Sequence, residues 1–140
     1  MDDRILLRAV MTYVAGGHIL TGLFCVLGRR GIMRLGAPLY GADFEPDAQF
    51  SHIVRPAGAF VGGLGVLQLL AARDPDSHTE VVDASIGVLL FRVLQSIIHR
   101  REISRVFQIS PARHYLTTAH FAALAVILLA ARLRAADDAA

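Results

Sequence analysis

The sequence predicts an all-α fold, a four-helix transmembrane bundle, on three observations. Of 140 residues, 54% are hydrophobic and 19% charged, against about 45–50% and 25% in an average soluble domain. The mean hydropathy of +0.50 means more apolar surface than a core this small can hide from water. The apolar residues also fall into four runs, each near the roughly 20 residues that carry a helix across about 30 Å of hydrocarbon. The length fits a single integral-membrane domain, residues 1–140.

The spans are expected at about residues 5–28, 53–72, 81–98 and 115–131. The first is broken only by Arg8 near its start. It does not read as a cleaved signal peptide, because Met1-Asp2-Asp3-Arg4 is not cationic and the apolar run is about twice a signal core. The second carries Arg55-Pro56 at its start, where Arg55 is expected as an interfacial anchor. It continues through Gly58, Gly62 and Gly65, a small-residue ridge that lets another helix approach closely. That ridge packs either inside the bundle or across a homo-oligomer interface. Asp74-Pro75 closes the second span, and Ser77-x-x-Glu80 predicts a capping box ahead of the third. The third contains Asp83, Arg92 and Gln95. Ser110-Pro111 offers a capping hydroxyl and an N1 proline before the fourth, which ends at Arg132 and Arg134.

All 14 basic residues are Arg, with no Lys and no Asn. That composition, rich in Ala, is that of a GC-rich bacterial genome and places the spans in a bacterial inner membrane. Arg4, Arg8, Arg73, Arg132 and Arg134 lie on one side. Arg29, Arg30, Arg34, Arg55, Arg100, Arg101, Arg105 and Arg113 lie on the other. The positive-inside rule makes the second side cytoplasmic and both termini extracytoplasmic. The 99–110 segment reads either as an amphipathic piece lying on the anionic inner leaflet, or as an ordinary connector. A net charge of +2 with Arg at segment ends argues against a nucleic-acid partner. Single Cys25 excludes an internal disulfide, a CxxC pair and a cysteine zinc site.

Function in such a chain sits on the few polar groups at membrane depth. Aligning the spans by their apolar midpoints places His18 about 2 Å, Arg92 about 4 Å and His120 about 5 Å from mid-membrane. All three lie toward the side of the 29–52 loop, with Arg55 and Gln95 shallower on that side. Ser85, Arg92, Ser96 and His99 share one helical stripe, with Asp83 opposite. Arg92 is therefore expected to face the bundle interior and to meet an anion, carbonyls, water or an acid from a partner. Three functional classes follow. The first is a non-catalytic subunit or binding protein, whose site takes an anionic or carbonyl-bearing amphiphile or a partner helix. The second is a redox protein holding quinone, or haem b ligated by His18 and His120 with Arg92 and Arg55 near the propionates. The third is an enzyme acting on a lipid-soluble substrate through a His acid–base group, with Arg92 stabilising an anion. The histidines also have a plain reading, in which they bond neighbouring hydroxyls or carbonyls. Tyr13 and Tyr115 are further candidates for a quinone or lipid head group.

The 29–52 loop holds Asp43, Glu45, Asp47 and His52, oxygen-rich enough for a hard cation but without EF-hand spacing, so a solvated acidic loop is expected and no metal site. Tyr40, Phe44 and Phe50 with Pro38 and Pro46 suggest that this loop packs on the membrane face. Several four-span families fail on residues. Thiol–quinone oxidoreductases need paired cysteines, small multidrug transporters an acid deep in the first span, and fluoride channels and the glutathione-transferase-like membrane family membrane asparagines. The layout, with Arg8, Gly16-Gly17-His18 and Gly22 in the first span and a Gly-rich second span after Arg55, resembles the DoxX-like group and neighbouring small four-helix families. The resemblance implies a membrane-subunit or quinone-side role and assigns no catalytic residue.

Overall fold

The computed structural model describes residues 3–28, 31, 33, 42 and 47–137. Among the described residues are five helices: α1 Asp3–Leu27, α2 Ala48–Ala71, α3 Thr79–Ile98, α4 Arg100–Val106 and α5 Pro111–Asp137. All but α4 are long and apolar enough to cross a membrane, and the chain is a multi-pass membrane protein built as an all-α four-helix bundle. Large apolar side chains point outward from these helices, among them Phe60 at 81%, Phe91 at 76% and Leu116 at 72% exposure. Such faces are stable against lipid and not against water.

The helices begin earlier than the apolar runs. Asp47 caps α2 by accepting the Phe50 N–H at 2.6 Å, and the Ser51 hydroxyl donates to the Asp47 carbonyl at 2.7 Å. The second helix therefore starts at Ala48 and not near 53, and Pro56 lies inside it. Ser110 accepts the Arg113 N–H at 3.4 Å with Pro111 as the first helical residue, so the last helix starts four residues before 115. Apolar runs mark what lies in hydrocarbon, whereas capping groups mark where a helix starts.

The capping box expected before α3 does not form. Its N-cap is His78, which makes no side-chain cap bond. Ser77 instead bonds Asp74 through both its side chain and its backbone, which holds the Asp74 carboxyl below its ordinary value. Glu80 lies 3.8 Å from His78 Nδ1. A local Asx-type turn has taken the serine that a cap would have used.

Two helix pairs make up the bundle. In the antiparallel pair α1–α2 the backbones nearly touch. A Cβ built on Gly22 would lie 2.5 Å from Gly62 Cα and 2.7 Å from the Gly58 carbonyl oxygen; one on Gly65 would lie 2.8 Å from Ile19 N. Gly58 sits against Cys25 and the Gly22 carbonyl. The Gly58–Gly62–Gly65 ridge thus docks on α1 within the same chain. In the second pair, α3 and α5, Arg132 meets Asp83 at 3.4 Å, and the buried His114 donates from Nε2 to the Ser96 carbonyl at 3.0 Å. That bond satisfies one of the carbonyls that a helix C-terminus leaves unpaired.

The core lies at one end of the bundle. Leu7, Met11 and Val14 of α1 pack there with Ala71 and Ala72 at the end of α2, Val82, Ile86 and Leu89 of α3, and Ala125, Leu128 and Ala131 of α5. Arg4 reaches Asp76 at 3.2 Å across this end. Toward the other end the two pairs part, and a cavity of about 1100 Å³ opens between them.

The 99–110 segment holds the short helix α4, with Arg100 Cζ 4.3 Å above the Tyr115 ring and Phe107 edge-on to Phe50 at 6.2 Å. Tyr40, Phe44, Pro38, Pro46, Asp43 and Glu45, like Arg29, Arg30 and Arg34, lie outside the described residues.

Candidate functional site

The cavity takes its walls from all four long helices. Its polar lining includes His18 of α1, Arg92 and Gln95 of α3, and His120 of α5, together with Tyr13 and the threonines 12, 21 and 117. Apolar side chains such as Val61, Leu64, Val88 and Leu124 lie between them. Gly16 and Gly17 lie in its wall with nothing within 4 Å of where a Cβ would stand, so their missing side chains contribute to its volume.

Four of the five residues expected to share a polar site therefore line one space. Arg55 does not. Its guanidinium packs over Gly28, the residue at φ +55° that follows α1. There it stands at the negative end of the α1 dipole, a position that favours a cation.

Arg92 lies with its Cζ 4.4 Å from the centroid of the Phe121 ring. A guanidinium stacked by its face on an aromatic ring gains cation–π attraction and directs its N–H donors outward from its rim. Stacking lowers the cost of holding the charge at membrane depth and leaves its polarity usable.

His120 Nε2 lies 3.3 Å from the Tyr13 hydroxyl, with the two rings edge-on at 5.8 Å. A second edge-on contact at 5.6 Å joins His120 to Phe121. Tyr13, His120, Phe121 and Arg92 thus form one continuous polar–aromatic wall across α1, α5 and α3.

His18 enters a different network, built on a residue the sequence reading passed over. Gln68 of α2 is fully buried and bridges α1 to α3: His18 Nδ1 lies 2.7 Å from Gln68 Oε1, and Gln68 Nε2 lies 3.0 Å from Ser85 Oγ. Ser85, also fully buried, reaches the Val81 carbonyl at 2.6 Å. A glutamine within the run Leu67-Gln68-Leu69-Leu70 was the available signal, since an amide in an apolar span needs partners. Midpoint alignment hid it. Gln68 stands only three residues before the end of α2, which placed it near the membrane edge and far from His18. The glycine contacts, and not the apolar midpoints, set the α1–α2 register and bring the two side chains level. His114, buried between α5 and α3, was likewise not anticipated, because a histidine near a helix start carries no pattern of its own.

Asp47 serves as a helix cap, and Asp83, opposite Arg92 on α3, pairs with Arg132. No known protein family, no curated protein and no solved structure matches the chain.

Proposed function

We propose that this protein is a non-catalytic binding protein or membrane subunit that holds an amphiphile with an oxygen-bearing head group in the cavity between its two helix pairs. One observation carries the reading: Arg92, stacked on Phe121, shares a space of about 1100 Å³ with His18, His120, Gln95 and Tyr13 amid apolar walls. Ligand sites have this anatomy, a mostly apolar concavity with a few convergent polar groups, and this one is roomy by the usual range of about 300–1,000 Å³. The cavity lies toward the end at which α1 leads into the 29–52 loop. On the arginine bias that end is the cytoplasmic half of a bacterial inner membrane, with both termini outside.

The test is to purify wild type and Arg92→Leu in mild detergent, extract each with organic solvent and identify what is released by mass spectrometry. Wild type is expected to carry an amphiphile in near-stoichiometric amount that Arg92→Leu lacks, while both show the same helical circular dichroism. Equal release from the two proteins would refute the reading.

A redox role at the same site has one feature in its favour. An imidazole whose Nδ1 is held by a carbonyl acceptor, as His18 is by Gln68, is oriented as metal-bound histidines are. Bis-histidine haem would also require His120 Nε2, which here meets Tyr13. Oxidised and dithionite-reduced absorption spectra separate the two: a Soret band that shifts on reduction, and is lost in His18→Ala, would replace the amphiphile reading with haem.

A further inference from the structure

Resting on the amphiphile reading, we propose that the ligand's head group is hydroxylic: it donates a hydrogen bond to His18 Nε2 while its oxygen accepts from Arg92.

Between Ser85 and the Val81 carbonyl there is one proton, and it belongs to the serine, since a carbonyl only accepts. The Ser85 hydroxyl therefore donates to Val81 at 2.6 Å and presents a lone pair to Gln68. The amide atom facing Ser85 at 3.0 Å must then be the NH₂ group, so the carbonyl of Gln68 faces His18. A carbonyl 2.7 Å from His18 Nδ1 requires the proton on Nδ1. In a neutral imidazole this leaves Nε2 as a lone-pair acceptor. The relay through three helices thus fixes one tautomer of a histidine that lines the cavity.

The threonines strengthen the case. Thr12 donates to the Arg8 carbonyl at 2.8 Å and Thr117 to the Arg113 carbonyl at 2.9 Å. Each of these two hydroxyl protons is committed within its own helix, so Thr12 and Thr117 have only lone pairs left to offer a ligand. His18, Thr12 and Thr117 are thus three acceptors from two helices, set against Arg92, which only donates, and Gln95, whose amide does both. A ligand that only accepts, such as a ketone, ester or carboxylate, can take a hydrogen bond from Arg92 but offers no proton to these acceptors. A hydroxyl does both. Two kinds of amphiphile offer it, a hydroquinone and a glycerol-headed lipid.

The experiment uses full-length protein in detergent at pH of about 8, where an ordinary imidazole is neutral. Long-range ¹H–¹⁵N NMR should find His18 protonated at Nδ1 and bare at Nε2; a proton on Nε2 alone would overturn the proposal. Binding is then measured for decylhydroquinone and monodecanoylglycerol, each against its O-methylated counterpart, which the cavity has room to admit. The hydroxyl form of at least one pair should bind about tenfold tighter than its ether, the scale of a lost hydrogen bond with its partner left unpaired. Which pair shows the difference identifies the source. In Gln68→Leu, where Ser85 keeps its bond to Val81 but His18 loses its acceptor, the preference should fall severalfold. Equal binding of hydroxyl and ether forms would refute the hydroxyl assignment while leaving the amphiphile site standing. No binding of any probe, with wild type also releasing no amphiphile on extraction, would refute both.

Discussion

Replacing Gly22 by Ala tests the seam on which the α1–α2 register depends. The new Cβ would stand 2.5 Å from Gly62 Cα, 2.6 Å from Gly62 N and 2.7 Å from the Gly58 carbonyl oxygen. All three are backbone atoms, so no rotamer change relieves the contact. Carbon atoms rest at about 3.5–4.0 Å, and the helices must move apart by about 1 Å. A gap of that size removes roughly a quarter to a half of each contact's ~0.1–0.2 kcal/mol, which over about 40 atom pairs along the seam comes to about 2 kcal/mol. This is the middle of the usual overpacking range, about 1–3 kcal/mol. Gly16→Ala is the control, because nothing lies within 4 Å of its Cβ position. Both changes gain the same helix propensity, near 1 kcal/mol in water, and the comparison cancels it. Unfolding in dodecylmaltoside titrated with SDS, followed by circular dichroism, should show Gly22→Ala about 2 kcal/mol less stable than Gly16→Ala. A difference under about 1 kcal/mol would refute the close backbone approach.

Three further outcomes are expected. Ser110→Ala removes the cap of α5 and should cost about 1 kcal/mol in the same titration, with Ser110→Thr retaining most of it. Leu128→Ala, at a fully buried core position, should cost about 2 kcal/mol. That is less than in a soluble core, because helices separated in a membrane already rest in apolar surroundings and the cavity left behind dominates. The Asp74 carboxyl should titrate below its ordinary value in an NMR titration, owing to the Ser77 side-chain bond. Since the folded value is the lower one, the turn's stabilisation is full above the ordinary carboxylate range and is lost as pH falls from there through the lowered folded value. Ser77→Ala should move the Asp74 midpoint back up.

The four spans were legible from hydropathy and length, because a helix in lipid satisfies its own backbone and needs only about 20 apolar residues to do so. Glycines 58, 62 and 65 were legible as a packing ridge, and Ser110-Pro111 as a helix start, because each acts through atoms of its own segment. So was the common space lined by His18, Arg92, Gln95 and His120, since counting along each apolar span puts the four in the same half of the membrane.

What the tertiary structure decided is which groups meet. Which helix the glycine ridge meets, and in which register, depends on how closely two backbones can approach, a property of both surfaces together. That register carried Gln68 level with His18 and made a relay from two residues 50 apart in sequence. It also left Arg55 over Gly28 and not beside Arg92. The Ser77 capping box failed for a related reason: two acceptable hydrogen-bonding arrangements competed for one side chain, and the turn at Asp74 prevailed. Hydrophobicity is nearly additive along a chain and can be read from it one residue at a time. Close packing and hydrogen bonding are pairwise and directional, and only the assembled bundle selects among the pairs.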